Sequence, residues 1–241
     1  MSHVHRFFLS PAVPLENAIT LSGAEAHHAI HVVRVKPGER VALFDGQGTE
    51  LVGEVARVGK RDIEVAVVES RREPRPDISL TLVQAGLHRD KAMESLVRQC
   101  TALGVERLRF FRAQRSERQV RPNAKWRRAA IEACKQCGRP WLPVIETAEN
   151  LGSALDDIDG ALLMATADAP PIPLSSALTA NSVALLVGPE GDFTQDELAV
   201  ARARGASPIS LGATTFRAEV AALVGVALIQ YELGRLGPHE D

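Results

Sequence analysis

The chain reads as two domains of different class, a small β-rich unit over residues 1–72 and an α/β unit over residues 73–241. Three observations predict this. Before residue 69, short apolar runs alternate with tight polar turns, and one short helical pattern interrupts them. Beyond residue 77, apolar runs take turns with helical patterns, the signature of a mostly parallel sheet with helices on its faces. Between the two lies Glu69 to Asp77, ESRREPRPD, mostly charged, with two prolines and no apolar residue. That is the composition of a linker.

In the first segment, Val41 to Phe44 precedes the turn Asp45-Gly46. Leu51 to Val58 alternates, with Leu51, Gly53, Val55 and Arg57 on one side. Ile63 to Val68 follows the polar turn Gly59-Lys60-Arg61-Asp62. Short strands with tight turns predict a small barrel. Ser22 to Val33 reads as a short helix, with Ser22 as cap and Glu25 completing a capping box. His27 and His31 share a face of it. A metal would need further ligands, and none is near in sequence, so no metal is expected and a surface or RNA-facing role is. Arg6, His28 and Arg34 stand out as polar residues of this segment.

In the second segment the expected strands are Ile78–Ala85, Arg107–Phe111, Val144–Thr147, Ala161–Ala165, Val183–Val187 and Ile209–Leu211. The expected helices are Lys91–Leu103, Lys125–Cys137, a short one near Leu151–Leu155, Gln195–Arg204 and Glu219–Leu233. Thr194 and Glu197 fit a capping box, and Gly205 a C-terminal stop. From pattern alone the default topology is an unknotted doubly wound sheet. The last helix has no polar residue between Val220 and Ile229. A helix apolar all round is buried all round, here against the sheet and against a second subunit. Ala221 and Gly225, four apart, permit close helix contact.

Two glycine corners dominate the C-terminal third: Gly188-Pro189-Glu190-Gly191, and Leu211-Gly212 continuing to Phe216-Arg217. Each follows an apolar run and precedes a helix. Ligands of open α/β sheets sit beyond the carboxyl ends of the strands, so the corners predict two walls of one pocket. The net charge of −2 excludes a general polycation. Yet nine basic residues between Arg107 and Arg128, Arg112, Arg115, Arg118 and Arg121 among them, face the single acid Glu117. Arginine forks onto phosphate, so this stretch predicts a nucleic-acid face. Three cysteines, Cys100, Cys134 and Cys137, are too few and odd in number for a disulfide framework and point to a reducing cytoplasm. The longest apolar run, Val220 to Ile229, is ten residues, far short of the roughly 20 that span a bilayer, so no membrane partner is expected.

The strings LVGPEGDFT (186–194), Leu211-Gly212 and Phe216-Arg217-Ala218-Glu219 resemble the RsmE family of the SPOUT superfamily. So do Arg6, His28, Val33-Arg34, LFDG (43–46), Ser116-Glu117-Arg118 and EACKQCGR (132–139). The likeness runs in order along the whole chain. It departs from the family at Gln99, Ala102, Thr214 and Val220. The resemblance implies an N-terminal PUA-like β-barrel and a C-terminal SPOUT α/β methyltransferase domain ending in a trefoil knot. It implies a homodimer through the C-terminal helix. The activity it implies is S-adenosylmethionine-dependent methylation of uridine N3 in small-subunit ribosomal RNA, free or in the assembled subunit. The methyl donor would lie against Ala165, Thr166, Val187, Gly188, Pro189, Glu190, Gly191, Leu211, Gly212 and Phe216. Arg217 would stabilise a uridine oxygen anion, and Glu219 or Glu190 would take the proton or orient Arg217. RNA would meet Arg6, His28, Arg34, Arg112, Arg115, Arg118 and Arg139. A methylase acting on a ribose hydroxyl or on transfer RNA, and a non-catalytic RNA-binding protein, are the alternatives.

Overall fold

The computed structural model describes residues 4–10, 17–116, 119–166, 174, 178 and 181–237. It divides into two units, Met1–Arg75 with Ile131–Leu142, and Pro76–Ala130 with Pro143–Asp241.

The first unit is a five-stranded sheet in the order β1-β3-β4-β5-β2. β1 (His5–Phe8) runs parallel to β3 (Arg40–Phe44), while β4 (Thr49–Val58), β5 (Asp62–Arg72) and β2 (Ala18–Ser22) continue antiparallel. β1 and β2 are its edges and do not pair with each other, so the expected barrel is an open sheet among the described residues. Phe7, Leu21, Val41, Leu43, Leu51, Val55, Ile63 and Val65 form its core.

Three expectations are corrected here. Arg57 is exposed rather than in line with Val55, because an irregularity between these two residues shifts the pleat. It pairs instead with Glu64 and Asp62 at the surface. Glu69 to Arg72 belong to β5 and not to a linker, paired with Thr49 to Val52. Ladder hydrogen bonds need only backbone, so charged side chains such as the Arg71–Glu69 pair can ride on the strand. Ser22 makes no side-chain cap on α1 (Gly23–His27). Glu25 is drawn elsewhere, to the Phe8 amide at 3.0 Å and Lys135 Nζ at 2.7 Å. The helix continues as a π-helical turn, His28–Val33, ended by Arg34 in the left-handed conformation at φ 63°. Cys100, in the second unit, and Cys134, in the first, are buried, and burial pushes both thiols up to about 12, so they stay protonated at neutral pH.

The second unit is a six-stranded sheet, β11-β9-β10-β6-β7-β8. The strands are β6 (Ser79–Ala85), β7 (Arg107–Phe111), β8 (Val144–Ala148), β9 (Ala161–Ala165), β10 (Ser182–Val187) and β11 (Ser207–Ile209). Every recorded pair is parallel. The near-continuous burial of β6, β7 and β10 is what a sheet covered on both faces requires. The helices are α2 (Asp90–Ala102), α3 (Ala124–Cys137, which from Ile131 onward belongs to the first unit), α4 (Leu151–Ala154), α5 (Gln195–Ala203) and α6 (Ala218–Glu232). The last strand lies two residues earlier than expected. It is an edge strand, where Pro208 costs no ladder bond, and Leu211 is thereby freed into the following loop.

On α6, Ala218, Ala222, Gly225, Val226 and Ile229 are buried. Gly225 meets the chain's own sheet: a Cβ there would lie 2.6 Å from Leu185 Cδ2. The opposite side is apolar and open, with Val220, Leu228 and Tyr231 exposed.

Candidate active site

β9, β10 and β11 are neighbours and parallel, so their carboxyl ends open on one side of the sheet. The loops leaving them enclose a cavity of about 360 Å³. Its lining comes from Ala165 and Thr166 after β9, from Val187, Gly188, Pro189, Glu190 and Asp192 after β10, and from the stretch between Leu211 and Ala221. The two glycine corners are therefore walls of one cavity. The Thr166 amide donates to the Ile209 carbonyl at 3.1 Å, tying the first loop to the third.

Of the residues expected to hold the methyl donor, all but Gly191 line the cavity. Gly191 turns its carbonyl outward, to Arg115 Nη1 at 2.8 Å. Asp192, Thr214, Thr215, Ala218 and Ala221 line it without having been singled out for it. The two alanines, three apart on one face of α6 beside Arg217, carried a helical-spacing signal. Asp192 carried none: it takes the left-handed conformation at φ 61°, unusual for a residue with a side chain, and its Oδ1 accepts the Phe193 amide at 2.7 Å.

The corner after β10 is closely braced. Thr194 and Glu197 form the expected capping box at the start of α5. Glu197 is buried, and its second oxygen accepts the Gln114 amide at 2.9 Å. The buried Gln84 amide donates to the carbonyls of Ala85 and Gly188, at 2.9 and 3.2 Å. Glu190 lines the cavity with one oxygen held by the His88 amide at 3.0 Å. Arg217 is the N-cap of α6, lines the cavity and spends no side-chain bond on capping. Glu219, in the first turn of α6, is half-buried and does not line the cavity.

A model of the RNA methyltransferase domain matches residues 73–230. The chain belongs to that family. The family's PUA domain model matches residues 21–68. Among similar proteins is the ribosomal RNA small subunit methyltransferase E of Rickettsia conorii, 29% identical, with 98% of this chain and 97% of that one covered. The protein of the same name from Mycobacterium tuberculosis is 28% identical, covering 94% and 91%. A crystal structure of ribosomal RNA small subunit methyltransferase E from Neisseria gonorrhoeae, bound to S-adenosyl methionine, is 26% identical. It covers 95% of this chain and 98% of that one, with a TM-score of 0.82.

The residues expected to meet RNA fall on both units. In the PUA unit, Arg6 is turned inward, paired with Glu50 and 5.2 Å from the centre of the Phe44 ring, so it braces the sheet. His28 is half-buried with its ring edge-on to Phe7, Arg34 is exposed, and Arg139 is half-buried. In the methyltransferase unit, Arg112 and Arg115 are exposed; Arg118 lies outside the described residues. His27 and His31 have ring centres 4.6 Å apart, and no group of three metal-ligating side chains occurs among the described residues. No described helix is long and apolar enough to cross a membrane.

Proposed function

We propose that this protein methylates uridine N3 in small-subunit ribosomal RNA, with S-adenosylmethionine as donor. The observation that carries the reading is the single cavity walled by both glycine corners, with Arg217 at the head of α6. Its volume of about 360 Å³ falls in the range of small-molecule sites. Backbone at Gly188 and Gly212 offers amides and carbonyls to an adenine with little side chain in the way. When bound, S-adenosylmethionine supplies a methyl group on a positively charged sulfur, which N3 takes up in line.

The chain's own residues then have two tasks. The imide proton must leave N3, and the charge left on the uridine oxygens must be stabilised. Arg217 does the second, helped by the positive end of the α6 dipole. Glu190, on the cavity wall with one oxygen unclaimed by His88, takes the proton, while Glu219 orders Arg217 from the same turn. RNA is held by His28, Arg34 and Arg139 of the first unit and by Arg112 and Arg118 of the second. Residues 1–72 and 73–241 act as the RNA-binding and catalytic domains, and the chain works in the cytoplasm, where its thiols stay reduced. The C-terminal segment is threaded as the trefoil knot that its family likeness implies.

Calorimetry with S-adenosylmethionine tests the donor site. One site per chain is expected. Gly212→Val should weaken it at least tenfold, because Gly212 sits at φ 125°, where a residue with a side chain is strained. No heat with the unaltered protein would favour a non-catalytic RNA-binding protein.

The same reading makes the protein a homodimer through α6, supported by the open apolar side at Val220, Leu228 and Tyr231. Light scattering should give twice the chain mass, and Leu228→Asp with Tyr231→Asp should halve it. A monomeric parent protein would contradict the dimer.

A further inference from the structure

The turn between β10 and α5 forms one cavity wall, yet part of what holds it lies outside the cavity. The Asp192 amide donates back to the Pro189 carbonyl at 3.0 Å, and Asp192 is left-handed at φ 61°. Asp is among the residues that take this conformation most readily, and its own Oδ1 supports it by accepting the Phe193 amide at 2.7 Å. Outside the turn, the group that braces it is Arg115. Its Nη1 donates to the Gly191 carbonyl at 2.8 Å and reaches the Phe193 carbonyl at 3.4 Å, spanning Asp192 from both sides. The arginine stem also lies along Gly191: a Cβ there would stand 3.3 Å from Arg115 Cβ and 3.6 Å from Cδ.

Arg115 is itself fixed from below. The preceding Gln114 amide is held by buried Glu197, whose other oxygen caps α5 through Thr194. The following Ser116 is buried, accepts the Ala113 amide at 3.2 Å and donates to the Gly86 carbonyl at 3.4 Å. The loops after β6, β7 and β10 are thus laced together. Arg115 does not line the cavity, whereas Pro189, Glu190 and Asp192 on the turn it grips do.

We propose that Arg115 is a positioning residue for the methyl donor: its guanidinium sets the shape of the 188–194 turn from behind, so donor affinity depends on a side chain that never touches the donor. The proposal rests on the reading of the cavity as a donor site. It differs from the expectation that Arg115 serves only as a phosphate contact.

Arg115→Ala removes brace and charge together; Arg115→Lys keeps the charge but loses the guanidinium geometry that sets Nη1 between the two carbonyls. In the free protein, hydrogen exchange at the amides of residues 190–194 should quicken about tenfold in Arg115→Ala, the effect expected when a charge-assisted bond is lost. Calorimetry without RNA should show donor binding about tenfold weaker in Arg115→Ala, and weaker also in Arg115→Lys, with donor KM rising in step. RNA affinity in Arg115→Lys should keep the salt dependence of the unaltered protein. Unchanged exchange and donor affinity in both variants would overturn the proposal. So would a loss confined to RNA affinity, with the salt slope of Arg115→Ala reduced by about one, since that makes Arg115 a phosphate contact alone. Faster exchange in Arg115→Ala, in a protein whose unaltered form binds no S-adenosylmethionine, would leave the brace standing and remove the donor-site reading beneath it.

Discussion

Arg217→Ala is expected to lower methyl transfer at saturating donor by about a hundredfold to a thousandfold, the usual cost of losing one preorganised group at a developing oxyanion. Arg217 is placed for this by its position at the N-cap of α6, with extended backbone at φ −63° and ψ 151° and a side chain that makes no cap bond. It lines the cavity, where the first amides of α6 already favour negative charge. Donor affinity should change far less than turnover, because the group that benefits is the uridine. Arg217→Lys should recover part of the loss, since charge survives and the fork does not. Single-turnover transfer to unmodified small-subunit particles measures this. Turnover near that of the unaltered enzyme would take Arg217 out of the chemistry.

Phe193→Ala should cost about 3–5 kcal/mol of stability, the range for deleting a buried aromatic ring. The ring is 4% exposed, in a core with Phe111, Leu186 and Met164. It also underpins the Gly188 corner, lying 3.1 to 3.4 Å from where a Cβ on Gly188 would sit. Its removal leaves a void directly beneath the cavity wall. Urea unfolding with an unchanged slope should report the loss, and donor binding should weaken at temperatures where the variant is still folded. A change below about 1 kcal/mol would mean that the corner does not rest on this ring.

Much of this architecture was legible in the chain, for identifiable reasons. Runs such as Val183–Val187 and Arg107–Phe111 are short, flanked by turn residues and followed by helical spacing, so their periodicity had one sensible reading. Thr194 with Glu197 is a local signal and the cap forms locally. The glycine corners were legible because a cavity beyond strand tips is a property of the fold class. What escaped is mostly non-local. β1 and β2 are held by pairing with β3 and β5, and His5–Phe8 carries little signal alone. The inward turn of Arg6 depends on Glu50, 44 residues away. The hold of Arg115 on Gly191 crosses 76 residues, and that of His88 on Glu190 crosses 102. In Arg57 a one-residue irregularity in the pairing reversed the face that alternation predicted.

The most direct measurement is transfer of labelled methyl from S-adenosylmethionine to small-subunit particles lacking their methylations, with digestion to nucleosides and mapping of the labelled base. The account predicts one labelled product, N3-methyluridine, formed by the unaltered protein and nearly absent with Arg217→Ala. Label on a ribose hydroxyl or on another base, or transfer that Arg217→Ala leaves intact, would contradict it.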